Sequence, residues 1–230
     1  MNAITMSPVS PSDLRGTIMD TMIYYSCFLR PMRLAKHVLV FSLMGAITGC
    51  VSVATVGWDK PPAKGFKSGQ IYLDKTYYSG ANTTVGKHTF TVFAIPVGAI
   101  AANRPVDESV NSAIIDALTA AGYEVKPASE APKGATLLKP TVNKFNYWSY
   151  MYLWPFFLDG GGIELDLALS DGIGQRLWSH ECSASSFWIS PFGAYGFDSA
   201  IKSDMNDVVK EITTETMAAK FQNLVNKQNK

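Results

Sequence analysis

The chain has 230 residues, a formal net charge of +1 and 47% hydrophobic residues. That length suits one ordinary domain with something added, and the near-neutral balance, with no Lys/Arg block, excludes the electrostatic footprint of a nucleic-acid binder. Apolar and aromatic residues are too plentiful for a disordered chain, and three cysteines and three histidines, widely scattered, make no metal-ligand spacing along the sequence.

In the N-terminal segment, Arg30, Arg33, Lys36 and His37 precede an apolar run from Val38 to Ile47, which ends in Thr48-Gly49-Cys50. A positive region, a short apolar region and a small-residue zone make a secretory signal. The tetrapeptide Ile47-Thr48-Gly49-Cys50 resembles the bacterial lipobox, an aliphatic residue and two small residues before a cysteine. The resemblance implies cleavage before Cys50 and lipid on its sulfur. The competing reading is a transmembrane helix, because no charge falls between Val38 and Trp58 and about 20 residues span a bilayer. Apolar density drops after Ile47, however, and the β-branched, Gly-containing stretch Val51–Gly57 is a poor helix former. The expected organisation is therefore residues 1–31 as an upstream extension with Met32 as the true start, 32–49 as signal, 50–68 as a lipid-anchored tether containing Lys60-Pro61-Pro62, and 69–230 as a periplasmic domain.

Within that domain, 71–78 reads as a first short strand and Thr89–Ile95 as a buried one, followed by a loop from Pro96 to Val106. Asp107 is a candidate N-cap. Val110, Ala113, Ile114, Ala117, Leu118 and Ala121 recur at helical spacing, and Gly122 supplies the stop. Thr136–Tyr147 reads as a strand, with Gly160-Gly161-Gly162 as a flexible connection after it. Ile163, Leu165, Leu167 and Leu169 alternate with polar or small residues; Asp171-Gly172-Ile173-Gly174 is a hairpin turn, and Gln175–Trp188 is the return strand. From Ser199 an amphipathic pattern runs to Leu224 as one long helix. The expected fold is α+β: a two-layer domain with a largely antiparallel sheet and two helices packed on one face.

The succession Phe93-Ala94-Ile95-Pro96, Val110 to Gly122-Tyr123-Glu124-Val125, Leu137 to Phe145 and the hairpin ending Leu177-Trp178 resembles YajG-type outer-membrane lipoproteins and related β-α-β-β envelope modules. The resemblance implies binding or scaffolding in the envelope and carries no catalytic residue across. Val51 after Cys50 fits outer-membrane sorting, since the inner-membrane retention signal of bacterial lipoproteins is typically Asp at that position.

Chemistry-bearing candidates are few. His180 and Cys182 sit at alternate positions of one strand and are the pair on which an envelope enzyme would be built, although no residue to orient the imidazole can be named; the plainer reading is an edge histidine and a half-buried cysteine. Glu164 and Asp166 share a face and read as a solvated sheet surface. The informative feature is aromatic: Tyr147 to Leu158 carries Trp148, Tyr150, Tyr152 and Trp154 at alternate positions, and a second cluster holds Trp188 and Phe192. Tyr and Trp at this density suit an oligomer or partner interface; the alternatives are a cover on the open sheet face, as a second small core, and insertion into the membrane interface. The functional expectation is a non-catalytic binding or assembly module, joined to the outer membrane by covalent lipid, facing the periplasm, with an envelope protein or a second copy as partner and with neither cofactor nor metal. An auxiliary subunit of an export system and an enzyme using His180/Cys182 are the alternatives.

Overall fold

In chain order the elements are β1 (Ser52–Ala54), β2 (Gly69–Leu73), β3 (Tyr77–Tyr78), β4 (Thr84–Phe90), β5 (Ile95–Ala102), α1 (Val106–Ala120), β6 (Tyr123–Pro127), β7 (Leu137–Leu153), β8 (Phe156–Ser170), β9 (Arg176–Pro191), α2 (Phe197–Thr216) and α3 (Ala219–Gln228). The structure, a computed structural model, describes residues 51–63, 69–90, 95–153, 156–191 and 196–228. These belong to one unit, Cys50–Lys230. The signal-like segment and Cys50 itself lie outside the described residues.

β7, with 17 residues, organises the nine-stranded sheet. One of its edges pairs with β8 along nearly its whole length, and β8 pairs in turn with β9. Its other edge receives three short strands in succession: β2 at Leu137–Leu138, β3 at Thr141–Val142 and β4 at Tyr147–Met151. A strand of this length, at about 3.3 Å per residue, has room for all three. The strand order β1-β5-β4-β7-β2-β6 follows.

The sheet is mixed, which corrects the largely antiparallel expectation. β4–β5, β7–β8 and β8–β9 are antiparallel, whereas β1–β5, β2–β6, β2–β7, β3–β7 and β4–β7 are parallel. The antiparallel pairs are sequence neighbours joined by local connections. The parallel ones join distant segments, so no turn residue announces them.

Three further expectations change. The single strand Thr89–Ile95 is two strands, β4 and β5, with Phe90 opposite Ile95; residues 91–94 are outside the described set, and Pro96–Ala102 is strand rather than loop. The 50–68 segment is not all tether: Ser52–Ala54 pairs with Ile100–Ala102, and Ala54 and Val56 are buried. Its β-branched residues, unsuited to a helix, extend an edge of the sheet instead. The three glycines 160–162 lie inside β8; rings from β7 occupy the space that side chains at Gly160 and Gly161 would need, and the β9 backbone at Ala184–Ser185 crowds Gly162. A Cβ on Gly160 would stand 2.6 Å from the Trp148 ring, and one on Gly161 would overlap Tyr147.

The helix expectation holds for α1: Val110, Ala113, Ile114, Ala117, Leu118 and Ala121 are all buried, and Gly122 takes φ 91° after the last turn. Asp107 lies in the first turn, where its charge suits the helix dipole, and Pro105 holds the cap position. The long terminal helix is two, α2 and α3, separated at Met217–Ala218. Thr213, Thr214 and Thr216 return their hydroxyls to carbonyls of the preceding turn, and the Tyr123 hydroxyl donates 2.7 Å to the Thr216 carbonyl, satisfying a group left over at the break. α2 lays Ile201, Met205, Val208, Val209 and Ile212 on the inner sheet face, against Ile163, Leu165, Leu167 and Leu169 of β8 and their neighbours.

Candidate functional site

Alternation along β7, β8 and β9 gives the sheet an inner face under the helices and an open outer face. The outer face is graded along the strands. At one end Thr141, Asp166 and Glu181 stand in register, then Lys144, Glu164 and Ser183. Lys144 pairs with Glu164 at 2.8 Å, and Asn143 donates to Asp166 at 2.9 Å, so the two carboxylates form the solvated surface their alternation implies. Asn146, Gly162 and Ser185 follow.

The next rows are apolar. Trp148, Gly160 and Phe187 form one, and Tyr150, Leu158 and Ile189 the next, with Phe156 beyond. The Trp148 ring lies over Gly160, 4.9 Å from the Tyr150 ring and 6.1 Å from that of Phe187. Phe156, Phe187 and Ile189 are 51%, 64% and 61% exposed. Lys87, exposed, faces Trp148 across the β4–β7 register. These rows make an apolar patch on the outer face, with Trp148, Tyr150 and Leu158 half-buried between the exposed side chains. Trp148 and Tyr150 thus share one face, as their spacing requires. Trp188 does not join them: it is half-buried on the inner face, with its ring 5.2 Å from that of Phe197. The side chain of Tyr152, and Trp154 and Phe192 altogether, lie outside what is described.

β1 enters at the same end. Ser52 stands opposite Ile100, which pairs with Gly86, which pairs with Tyr147. The Ser52 hydroxyl also meets His88 Nε2 at 2.8 Å, and His88 is in register with Ser149. The N-terminal end of β1 therefore lies at the same end of the sheet as the aromatic rows, with β5 and β4 between it and β7. Nothing along the sequence places β1 and the aromatic rows at one end of the sheet, which depends on β4 lying between β5 and β7.

Beneath the aromatic end, the inner face carries a buried polar row. Ser149 and Asp159 are opposite one another, Ser190 donates a short hydrogen bond to Asp159, and the Ser149 hydroxyl and the other Asp159 oxygen have no partner among the described residues. Burial lowers the His88 pKa, opposed by the Asp159 charge. Sequence reasoning missed this row, because Ser149 and Asp159 are ordinary residues until the sheet buries them.

His180 and Cys182 both face inward, and the tertiary structure supplies what their spacing lacked. Glu211 and Glu215 of α2 reach the imidazole, at 3.0 Å from Nε2 and 3.8 Å from Nδ1, and Trp178 stacks on its ring at 5.9 Å. The nearest ligand atoms of His180, Cys182 and Glu211 all lie within 4.8 Å of one another. Cys182 is fully buried rather than half-buried. Burial, reinforced by the surrounding carboxylates Glu211, Glu215, Asp166 and Glu181, pushes its thiol well above the ordinary range. That environment opposes the thiolate on which nucleophilic catalysis depends.

No family model matches the sequence, and no curated protein matches it at the level of sequence. Among solved structures the chain is similar to a Xanthomonas campestris protein of the family designated DUF330, with 13% identity and a TM-score of 0.53 over 77% of this chain and 98% of that one. At such identity the overlap shows a shared fold. A putative lipoprotein from Caulobacter crescentus CB15 (14% identity, 67% of this chain and 91% of that one, TM-score 0.36) and a minor lipoprotein from Acinetobacter baumannii (10%, 61% and 89%, 0.36) align at scores too low to carry an argument. Among the described residues no helix is long and apolar enough to cross a membrane.

Proposed function

We propose that this chain is a lipid-anchored envelope protein, a non-catalytic binding module held on the outer membrane by acyl chains on Cys50, with the aromatic end of its sheet resting in the interface of that bilayer. One observation carries the reading: the N-terminal end of β1, on the Cys50 side of Ser52 in the chain, lies at the same end of the sheet as the Trp148, Tyr150, Phe187 and Ile189 rows. Trp and Tyr favour the membrane–water boundary, where the ring sits among headgroups and the polar tip stays wet. The gradation of the outer face supports the same orientation, since Lys144, Glu164 and Asp166 stand away from the aromatic end. Lys87 beside Trp148 adds a cation suited to lipid phosphates. The helical layer and the charged end of the sheet would then face the periplasm.

Two measurements test this. Cys50→Ser should abolish labelling by a clickable palmitate analogue; undiminished labelling would overturn the anchor. The lipidated protein should then be reconstituted into vesicles whose acyl chains carry bromine, a short-range quencher of indole fluorescence. Quenching should fall when Trp148 is changed to Phe. Equal quenching of both proteins, with Phe187→Ser dispersing an oligomer, would refute the membrane seat and assign the patch to a second copy of the chain.

A further inference from the structure

The cluster at the middle of β9 is independent of the membrane seat, and its chemistry is that of a cation site. His180 and Cys182 project from alternate positions of one strand, and Glu211 is brought to them by α2, so that an imidazole nitrogen, a sulfur and a carboxylate oxygen fall within 4.8 Å of one another. A tetrahedral zinc ion with bonds of about 2.0–2.3 Å sets its donor atoms roughly 3.5 Å apart, so modest side-chain movement would close the set. The combination is selective: one soft donor, one imidazole and one carboxylate suit zinc and its neighbours rather than magnesium or calcium, which take oxygen throughout.

The surroundings supply what such a site needs. Trp178 stacks on the ring and sets its plane, and Glu215, 3.8 Å from Nδ1, is placed to accept from that nitrogen after a small movement, the role an outer carboxylate has for metal-bound histidines. Cys182 forms the buried floor, while the side chains of His180 and Glu211 remain 25% and 36% exposed and leave a way in from solvent. We propose that His180, Cys182 and Glu211 bind a divalent zinc-like cation, with Glu215 positioning the histidine. On binding, the Cys182 thiol proton passes to solvent, and the thiolate, the Glu211 carboxylate and the Nε2 lone pair of the imidazole, with its one proton on Nδ1 toward Glu215, bond to the ion. The ion would then clamp β9 to α2.

The full chain, prepared without a histidine tag, freed of metal by a chelator and kept reduced by a phosphine, should be titrated with Co²⁺. A near-ultraviolet sulfur-to-cobalt charge-transfer band should grow to one equivalent and vanish on adding Zn²⁺. It should be absent in Cys182→Ala and His180→Ala. Glu211→Gln, on a partly exposed helix position, should keep the fold and lose tight binding, and Glu215→Gln should weaken it by about 10-fold. Zn²⁺ should raise the melting temperature of the wild type and not that of Glu211→Gln. No charge-transfer band in the reduced wild type, or zinc binding that survives both His180→Ala and Glu211→Gln, would overturn the proposal.

Discussion

The Tyr147 hydroxyl donates a 2.8 Å hydrogen bond to the carboxylate of Asp204, joining β7 to α2 where both side chains are buried. Ser186 of β9 donates to the same carboxylate at 2.5 Å. Two donors do not compensate the desolvation: burial raises the Asp204 pKa above 3.8 despite both hydrogen bonds. A carboxyl group whose folded pKa is raised contributes stability below its unfolded value and loses it as pH rises through the folded value. Asp204→Asn, neutral at every pH, should therefore compare more favourably with wild type at pH 7 than at pH 4 in denaturant titrations. A pH-independent difference would contradict this account. Tyr147→Phe should cost about 1.5–3 kcal/mol at neutral pH, the range for a hydrogen bond to a charged group.

The neighbouring glycines separate two kinds of packing. Gly161 faces Tyr147, which is fully buried and tied to Asp204; Gly160 faces Trp148, which is only half-buried. Gly161→Ala should destabilise by ~1–3 kcal/mol through overpacking. Gly160→Ala should cost less, because the Trp148 ring can lift, and should red-shift the tryptophan emission as it does so. Equal losses for the two variants would show that Trp148 is held as firmly as Tyr147.

His88 gives the aromatic end a pH dependence. Its pKa lies below 6.5, chiefly because of burial. The neutral ring meets the Ser52 hydroxyl, which ties β1 to β4 across the intervening β5. A depressed pKa contributes stability that is present above 6.5 and lost as pH falls toward the folded value. The wild type should accordingly lose stability on acidification from pH 7, and His88→Gln should show a smaller loss. A steeper decline in His88→Gln would mean that the ring is protonated in the fold.

Cys182 should be a poor nucleophile. With chelator present, its reaction with an aromatic disulfide reagent should be slow in the native protein and fast in denaturant, since both burial and neighbouring carboxylates hold the proton on sulfur. Cys182→Ala should cost about 1 kcal/mol. Rapid native-state labelling would restore the thiol as a candidate for catalysis.

Some of this molecule is written in local patterns. The apolar period of α1, the alternation in β8, and the Asp171 turn, whose carboxylate accepts from the backbone N–H groups of Ile173 and Gln175, each depend on residues a few positions apart. So did the prediction that Trp148 and Tyr150 share a face, since alternation is a property of any extended strand. The parallel pairings of β2, β3 and β4 along β7 were hidden, because backbone hydrogen bonds between distant strands carry no residue signature. Residue type alone groups Trp188 with the contact aromatics, and only the register of β9 against β8 sends it to the opposite face, onto Phe197. His180 and Cys182 were visible as a pair by their spacing of two. Glu211 became their neighbour only when α2 docked on the inner face, because side chains that meet across a helix–sheet interface are chosen by packing and not by separation along the chain.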